Sequence, residues 1–431
     1  MRRSEPSDAP PTAALAAEAC FREDSAELMV PHIHEPFSNG SSFAVYVHIP
    51  YCARKCPYCD FNVHVERRVP EDAYARALLL EIERAAGESD WATRPIASVF
   101  FGGGTPSTFG AQTFATLLAG LDRSFGLASG AEIALEANPE DLAGESTKLA
   151  ELQRCGVNRL SIGAQSFTPR HLATLGRRHD ADDVIRAVEH ARAAGIDDIS
   201  CDLIFAVPGQ TLDEWRHDLD TAVSLAPRHV STYGLTYEQG TPMGAQKSAG
   251  RIRAVSEELE RQMYETAIDR LTAAGYTHYE ISNFAVPGFE SRHNLAYWTW
   301  SDYLGLGAGA HGFARRSAEH DGCRGRRYAN VRSPADFIAR APEVVDSREE
   351  LNEEMAMEEF ILLGLRRIIG FADGDFEVVF GRSIDSVAPA LPALVEHGLI
   401  GRAEGRTALT REGLMIADTV CGRLADVRLY P

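Results

Sequence analysis

The sequence predicts an α/β fold, a complete or partial (β/α) barrel of about six units, followed by a smaller, mainly helical C-terminal domain. Three observations point there. Short β-branched runs alternate with amphipathic stretches between Ala44 and Tyr279, the pattern of parallel strands joined by helical crossovers. The polar and glycine-rich residues of this region fall where the strand runs end. Beyond Gly312 the alternation gives way to helical patterns with one short strand-like turn.

The strand runs lie at 44–49, 98–101, 132–136, 159–162, 199–205 and 230–235. Between them, apolar residues recur at helical spacing. Leu212, Trp215, Leu219, Ala222 and Val223 mark one face, and Val184, Val188 and Ala191 mark another. A further helix is expected at 71–86, where Pro70, Glu71 and Asp72 precede an apolar run. Gly102-Gly103-Gly104-Thr105-Pro106 follows the second run, Glu136-Ala137-Asn138-Pro139 closes the third, Gln165-Ser166-Phe167 follows the fourth, and Asp202 lies in the fifth. The C-terminal ends of parallel strands carry the site in such architectures, so these residues can converge.

Arg315, Arg316, Arg324, Arg326 and Arg327 crowd a polar stretch that reads as a loop or linker. Helical patterns through Met355, Phe360, Leu363 and Leu365, and then across 391–400, precede Thr407-Ala408-Leu409-Thr410 and a last helix. Helices with a small β-wing resemble a winged-helix module, read here as a packing domain. The chain divides into a disordered N-terminal tail (1–42), a core (43–280), a motif-bearing segment and linker (281–345) and a C-terminal helical domain (346–431).

Apolar residues at 45% and charged residues at 24% suit a globular chain with a sizeable core. A formal net charge of -19 disfavours nucleic-acid backbone and anionic membrane surfaces. No apolar run approaches the ~20 residues of a transmembrane segment. Glu5, Asp8 and Glu18 interrupt any secretory signal, so a cytoplasmic location is expected. Cys20, Cys155, Cys201, Cys323 and Cys421 are scattered, whereas Cys52, Cys56 and Cys59 cluster. In a large chain such a cluster favours metal or redox chemistry over a disulfide framework.

The run Tyr46-Val47-His48-Ile49-Pro50-Tyr51-Cys52-Ala53-Arg54-Lys55-Cys56-Pro57-Tyr58-Cys59 begins on a strand and continues into a loop. Three thiolates in this spacing can hold three irons of a [4Fe-4S] cluster. The fourth iron stays open to chelate the amino and carboxylate groups of S-adenosylmethionine, whose sulfonium bond an electron can then cleave. A zinc site is the competing reading; it wants a fourth ligand, which His48 or His64 would have to supply. The three glycines after the second strand permit close backbone approach. They lack the G-x-G-x-x-G spacing of a dinucleotide site. Glu136 and Asp202 suit ribose hydroxyls or the methionine ammonium, and Gln165 and Arg177 suit ribose and carboxylate.

These motifs resemble the radical S-adenosylmethionine (SAM) family, in the group that includes oxygen-independent coproporphyrinogen III oxidases and HemW-type heme chaperones. The resemblance runs from about Phe43 to the C-terminus. It includes Val47-His48-Ile49-Pro50, the cysteine loop, Gly102 to Ser107, Gly156-Val157-Asn158-Arg159-Leu160-Ser161-Ile162-Gly163, Asp202-Leu203-Ile204, Pro208-Gly209-Gln210-Thr211 and Gly240-Thr241-Pro242. It implies a partial (β/α)6 TIM-like radical SAM barrel. It also implies cofactor contacts from Tyr46, Tyr58, Gly103, Gly104, Thr105, Glu136, Gln165, Arg177 and Asp202.

Two features separate chaperone from oxidase within that group. The oxidases carry a further cysteine two residues after the cluster motif, where this chain has Phe61. His293-Asn294-Leu295-Ala296-Tyr297-Trp298 resembles the HNxxYW heme motif of the chaperones. Imidazole and phenolate are both iron ligands, and on a helix His293 and Tyr297 would share a face, with Trp298 stacking on the macrocycle. Ser291 stands where many relatives have a cysteine, so the resemblance does not extend to thiol-dependent heme attachment there. It implies heme delivery to an acceptor protein, with a flavodoxin or ferredoxin as electron donor. His311 receives no role.

Overall fold

The structure, a computed structural model, describes residues 41–144, 146–316 and 322–428. The stretch read as a disordered tail lies outside the described residues up to position 40.

Six strands form in the predicted places: β1 (Phe43–Ile49), β2 (Ile96–Gly103), β3 (Leu127–Ala137), β4 (Arg159–Gln165), β5 (Asp198–Phe205) and β6 (His229–Gly234). They pair in parallel in sequence order, which requires each crossover to return along one face of the sheet. The helices Ala181–Ala193 and Leu212–Ser224 make two of these crossovers, each opened by a reciprocal capping box, Asp180 with Asp183 and Thr211 with Glu214. Their predicted apolar faces are buried: Val184, Val188 and Ala191 in one, Trp215, Leu219 and Ala222 in the other.

Alternation within the strands sorts the chemistry. In β5, Ile199, Cys201 and Leu203 are 0–1% exposed in the apolar cores, while Ser200, Asp202 and Ile204 line a cavity on the opposite face. The same split puts Ser161, Gly163 and Gln165 of β4, and His229, Ser231 and Tyr233 of β6, on the cavity side.

The sheet continues past both ends of this unit. β7 (Thr277–Glu280) and β8 (Asn283–Ala285) add beside β6, and β9 (Tyr303–Leu306) pairs in parallel with β1. β10 (His311–Arg315), β11 (Gly325–Asn330) and β12 (Val345–Leu351) then extend it antiparallel. The twelve-stranded sheet is open, with β12 and β7 at its edges. The arginine-rich stretch expected to be loop or linker is therefore largely strand. Its charge hid the pattern, because the carboxylates that match it lie across the ladder: Arg326 faces Glu350 and Arg327 faces Glu349.

The C-terminal part is helical, with a small antiparallel sheet of β13 (Phe371–Ala372), β14 (Ile400–Ala403) and β15 (Arg406–Leu409). Phe360 packs edge to face against Phe371, Phe376 and Phe380 at its centre, and Phe376 lies tilted against Phe380. The strand-like turn expected at 407–410 is β15, and the helix after it is present as Arg411–Met415.

Candidate functional site

A cavity of about 600 Å³ opens at the C-terminal ends of β1 to β6. Cys52, Cys56 and Cys59 line it from the loop after β1. That loop is closed by its own backbone: Tyr51 bridges to His64, the Cys52 N–H donates to the His64 carbonyl (3.0 Å), and the His64 N–H donates to the Pro50 carbonyl (2.6 Å). Asn62 ties the loop down further. Its carbonyl meets His48 Nε2 at 3.0 Å, and its Nδ2 donates to the carbonyls of Ala308 (3.0 Å) and Arg332 (2.9 Å).

Burial pushes the Cys52 thiol up to about 11 and also raises Cys59. Bare, these two groups are neutral thiols, and a metal's positive charge is what would hold them as thiolates. Two donors already address the sulfurs: Thr105 Oγ1 to Cys52 Sγ (3.3 Å) and an Arg177 guanidinium nitrogen to Cys56 Sγ (3.7 Å). Three free cysteines on one loop facing one cavity supply the donor set of a three-thiolate cluster, while among the described residues no three His, Cys, Asp or Glu side chains already converge as a metal site. The zinc reading fares worse. Neither His48 nor His64, the candidate fourth ligands, lines the cavity that the three cysteines share, and His48 is turned to the Tyr46 hydroxyl (2.9 Å) and the Asn62 carbonyl.

The glycine turn is a steric necessity. A side chain at Gly104 would place Cβ 2.6 Å from the Tyr51 carbonyl and 2.8 Å from that of Ile49. The Gly104 and Thr105 N–H groups donate to those same two oxygens at 2.8 Å each, stitching the turn to the start of the cysteine loop. Gly103, at φ 108°, would drive a Cβ into the His48 ring at 2.3 Å. Its N–H donates to Glu136 Oε2 at 2.9 Å.

Glu136 and Asp202 face each other's charge across the cavity. Burial raises the Glu136 carboxyl to about 7, opposed by the Gly103 N–H and reinforced by Asp202. Asp202 is raised by burial against three serine hydroxyls that donate to it, Ser161 (2.6 Å), Ser200 (2.7 Å) and Ser231 (2.7 Å). Gln165 holds φ 62°, an uncommon backbone for a residue with a side chain, at the end of β4. Arg177 is braced by the Asn138 amide oxygen and the Gly163 carbonyl. Tyr46 and Tyr58 line the same cavity. Every cofactor residue expected from the sequence therefore meets at one place.

The helix Arg292–Trp298 borders this cavity through His293, Asn294 and Tyr297. Ser291 caps it, its Oγ accepting from the Asn294 N–H at 3.2 Å. Glu132 of β3 accepts from the N–H groups of Arg292 (3.1 Å) and His293 (3.0 Å), and Arg159 lies 3.7 Å from that carboxylate. The His293 ring stacks on Phe100 (centroids 5.1 Å), shares a hydrogen bond with Ser98 Oγ and meets the Tyr297 hydroxyl at 3.0 Å. Burial lowers its pKa to about 3, so the imidazole is neutral. Trp298 departs from the sequence reading: its ring sits under the Arg366 guanidinium, 4.8 Å away, and does not line the cavity.

Several contributors escaped sequence reasoning. Ser200 donates to Asp202 and accepts from His229 Nδ1 (2.8 Å). His229 Nε2 in turn meets the Tyr279 hydroxyl (2.9 Å), which accepts from the Ser291 N–H (3.3 Å). This chain of buried groups runs from the strand-end acid to the cap of the motif helix. The available signal was period-two polarity, Ser161–Gly163–Gln165 and Ser200–Asp202, inside otherwise apolar strands.

Comparison with known proteins places this geometry. The Radical SAM superfamily model matches residues 46–222, and the HemN C-terminal domain model matches 351–416. The heme chaperone HemW of Bacillus subtilis (strain 168) is 38% identical over 384 residues, 88% of this chain and 98% of that protein. The chain belongs to the HemW heme-chaperone family. HemW of Escherichia coli (strain K12) is 34% identical over 88% of this chain and 96% of its own length. The Bos taurus mitochondrial radical S-adenosyl methionine domain-containing protein 1 is 33% identical, covering 89% and 84% respectively. Among solved structures, the coproporphyrinogen III oxidase HemN of E. coli superposes with a TM-score of 0.75 at 22% identity, over 89% of this chain and 90% of that one. At that identity the likeness to HemN is one of fold. A radical SAM fold brings a [4Fe-4S] cluster and S-adenosylmethionine as its cofactors, and the HemW family shares that fold. No helix among the described residues is long and apolar enough to cross a membrane.

Proposed function

We propose that this protein binds heme and passes it to an acceptor protein, using a cavity that also holds a [4Fe-4S] cluster and S-adenosylmethionine. The observation that carries this reading is the shared cavity: the cysteine loop and the His293–Tyr297 pair open on the same space. The bacterial relatives at 34–38% identity are named heme chaperones, which supports this reading.

Cys52, Cys56 and Cys59 would hold the cluster, which when bound supplies an open iron and a single electron to the sulfonium cofactor. Gly103, Gly104 and Thr105 give the cofactor backbone access. Glu136 and Asp202 accept from its ammonium or ribose hydroxyls, Gln165 and Arg177 hold ribose and carboxylate, and Tyr46 and Tyr58 wall the pocket. His293 and Tyr297 are the candidate iron ligands of heme, with Asn294 beside them. Trp298 serves this group from behind, by fixing the helix against Arg366. A flavodoxin or ferredoxin would supply the electron. Reduced thiols on an exposed loop suit the cytoplasm.

Decarboxylation of coproporphyrinogen III is the second reading, favoured by the HemN-like fold. Against it stands Phe61, 62% exposed at the cavity where the oxidases carry their further cysteine. The test is to offer anaerobically reconstituted protein coproporphyrinogen III and heme in parallel. Stoichiometric heme capture without turnover is expected; decarboxylated product would transfer the assignment to the oxidase. Cys52→Ala should abolish the four-iron absorbance, and His293→Ala should weaken heme capture with iron and sulfide content unchanged.

A further inference from the structure

Many arginines in this chain pair with carboxylates. Arg84, Arg94, Arg159, Arg170, Arg261 and Arg327, among others, each sit in an ion pair. Arg54, Lys55 and Arg178 differ. All three are exposed, all line the cavity, and none forms an ion pair among the described residues. Arg54 and Lys55 stand inside the cysteine loop, while Arg178 follows the braced Arg177 after the helix Pro169–Thr174. Arg177 is already committed to Cys56, Asn138 and Gly163, so it is not part of this free set. Asp60 is the one exposed carboxylate lining the same mouth, so three cations against one carboxylate leave a net positive field there that attracts anions, on a chain of net charge -19.

The surface between these cations is apolar. Phe61 is 62% exposed at the same cavity, and Ala53 and Val63 line it as well. A ligand matching this mouth has a broad apolar body and carboxylates at its edge. Highly hydrated anions such as free phosphate match the charge and not the apolar wall.

We infer that Arg54, Lys55 and Arg178 form a carboxylate-binding rim that selects porphyrins by their propionate side chains. The inference rests on the heme reading and deepens it: the iron would be addressed by the motif helix, the carboxylates by the cysteine-loop side. Guanidinium groups can pair with a carboxylate through two parallel N–H donors, and the flexible lysine adds a point charge. Because the rim is solvent-exposed, each pair is worth little alone and the three act as a set.

The test compares heme with heme dimethyl ester, both presented to the cluster-loaded protein in the same detergent. Exposed pairs of this kind predict heme about fivefold to tenfold tighter than the ester at low salt. That gap should shrink as ionic strength rises. In the triple variant Arg54→Gln, Lys55→Gln, Arg178→Gln the two ligands should bind alike, at the ester's affinity. Iron and sulfide content checks that the loop still holds its cluster, and Arg178→Gln alone, outside the loop, should close part of the gap. Equal binding of heme and ester by the unmodified protein overturns the inference. So does a gap that survives in the triple variant. If the variant instead loses only its binding of an acidic flavodoxin-type protein, the rim belongs to that partner and the proposal is wrong. Failure to bind either porphyrin sinks the heme reading itself, a result distinct from binding without discrimination.

Discussion

The Ser98 hydroxyl and the His293 imidazole meet at 3.1 Å across 195 positions of sequence, strand β2 reaching the first turn of the motif helix. With Tyr297 on the other ring nitrogen, both nitrogens of the imidazole are partnered where it lines the cavity. A ligand histidine is commonly oriented in this way, by the bond its second nitrogen makes. Ser98→Ala should leave a buried ring nitrogen without a partner and lower stability by about 1–3 kcal/mol, read by urea denaturation. Heme affinity should fall about tenfold. Unchanged heme titration in that variant would show that Ser98 does not position the ligand.

The glycine turn supplies a matched pair of substitutions. Gly104→Ala must push apart the Ile49 and Tyr51 carbonyls, whose hydrogen bonds start the cysteine loop. Iron content after reconstitution should drop severalfold. Gly374→Ala, where a Cβ meets nothing within 4 Å and the backbone is helical, should leave stability unchanged or raise it by about 0.5–1 kcal/mol. Equal iron loading in both variants would remove the steric account of the turn.

Glu81 gives the fold a pH dependence. Its carboxyl accepts from the Gly307 N–H (2.9 Å) and from Asn330 Nδ2 (2.6 Å), yet burial raises it to about 8. The folded state therefore binds this proton more tightly than the unfolded chain does. The stabilisation is complete below the unfolded value near 4.5, declines as pH rises, and is lost above about 8. Glu81→Gln should flatten the fall in unfolding free energy between about pH 5 and 8, where one proton contributes at most about 1.4 kcal/mol per pH unit. The same slope in both proteins would mean that the proton resides elsewhere.

Trp298 and His293 lie five residues apart in one helix and face different surroundings, Arg366 for the one and the cavity for the other. Trp298→Ala should lower the melting temperature by loosening the Arg366 contact, while heme dissociation constants stay within about threefold. A loss of heme binding as large as that of His293→Ala would return Trp298 to the heme face.

Much of this was legible beforehand, for identifiable reasons. Short β-branched runs set between amphipathic stretches made β1 to β6 readable as strands. The cysteine spacing and the glycine turn are local signatures, so Cys52 to Cys59 and Gly103 to Thr105 needed no tertiary information. What escaped depended on partners distant in sequence. Arg326 and Arg327 read as loop because Glu350 and Glu349 lie across a ladder. Trp298 read as a heme contact because it closes the His293–Tyr297 motif; its ring instead meets Arg366, on a helix whose first turn is bound by Glu132 and Ser98, more than 150 residues upstream. His229 and Tyr279 carry no motif at all, only a place in a polar chain that folding assembles.

Asn62 sits three residues past Cys59, and the carbonyls it grips belong to Ala308 and Arg332, separated from it by 246 and 270 positions. During synthesis those acceptors emerge from the ribosome long after the thiols do. The latch on the sulfur-bearing loop thus stays open until most of the polypeptide exists. Sealing of the cysteine loop by this latch thereby waits until position 332 has been made, and a shorter nascent fragment has no means of closing it.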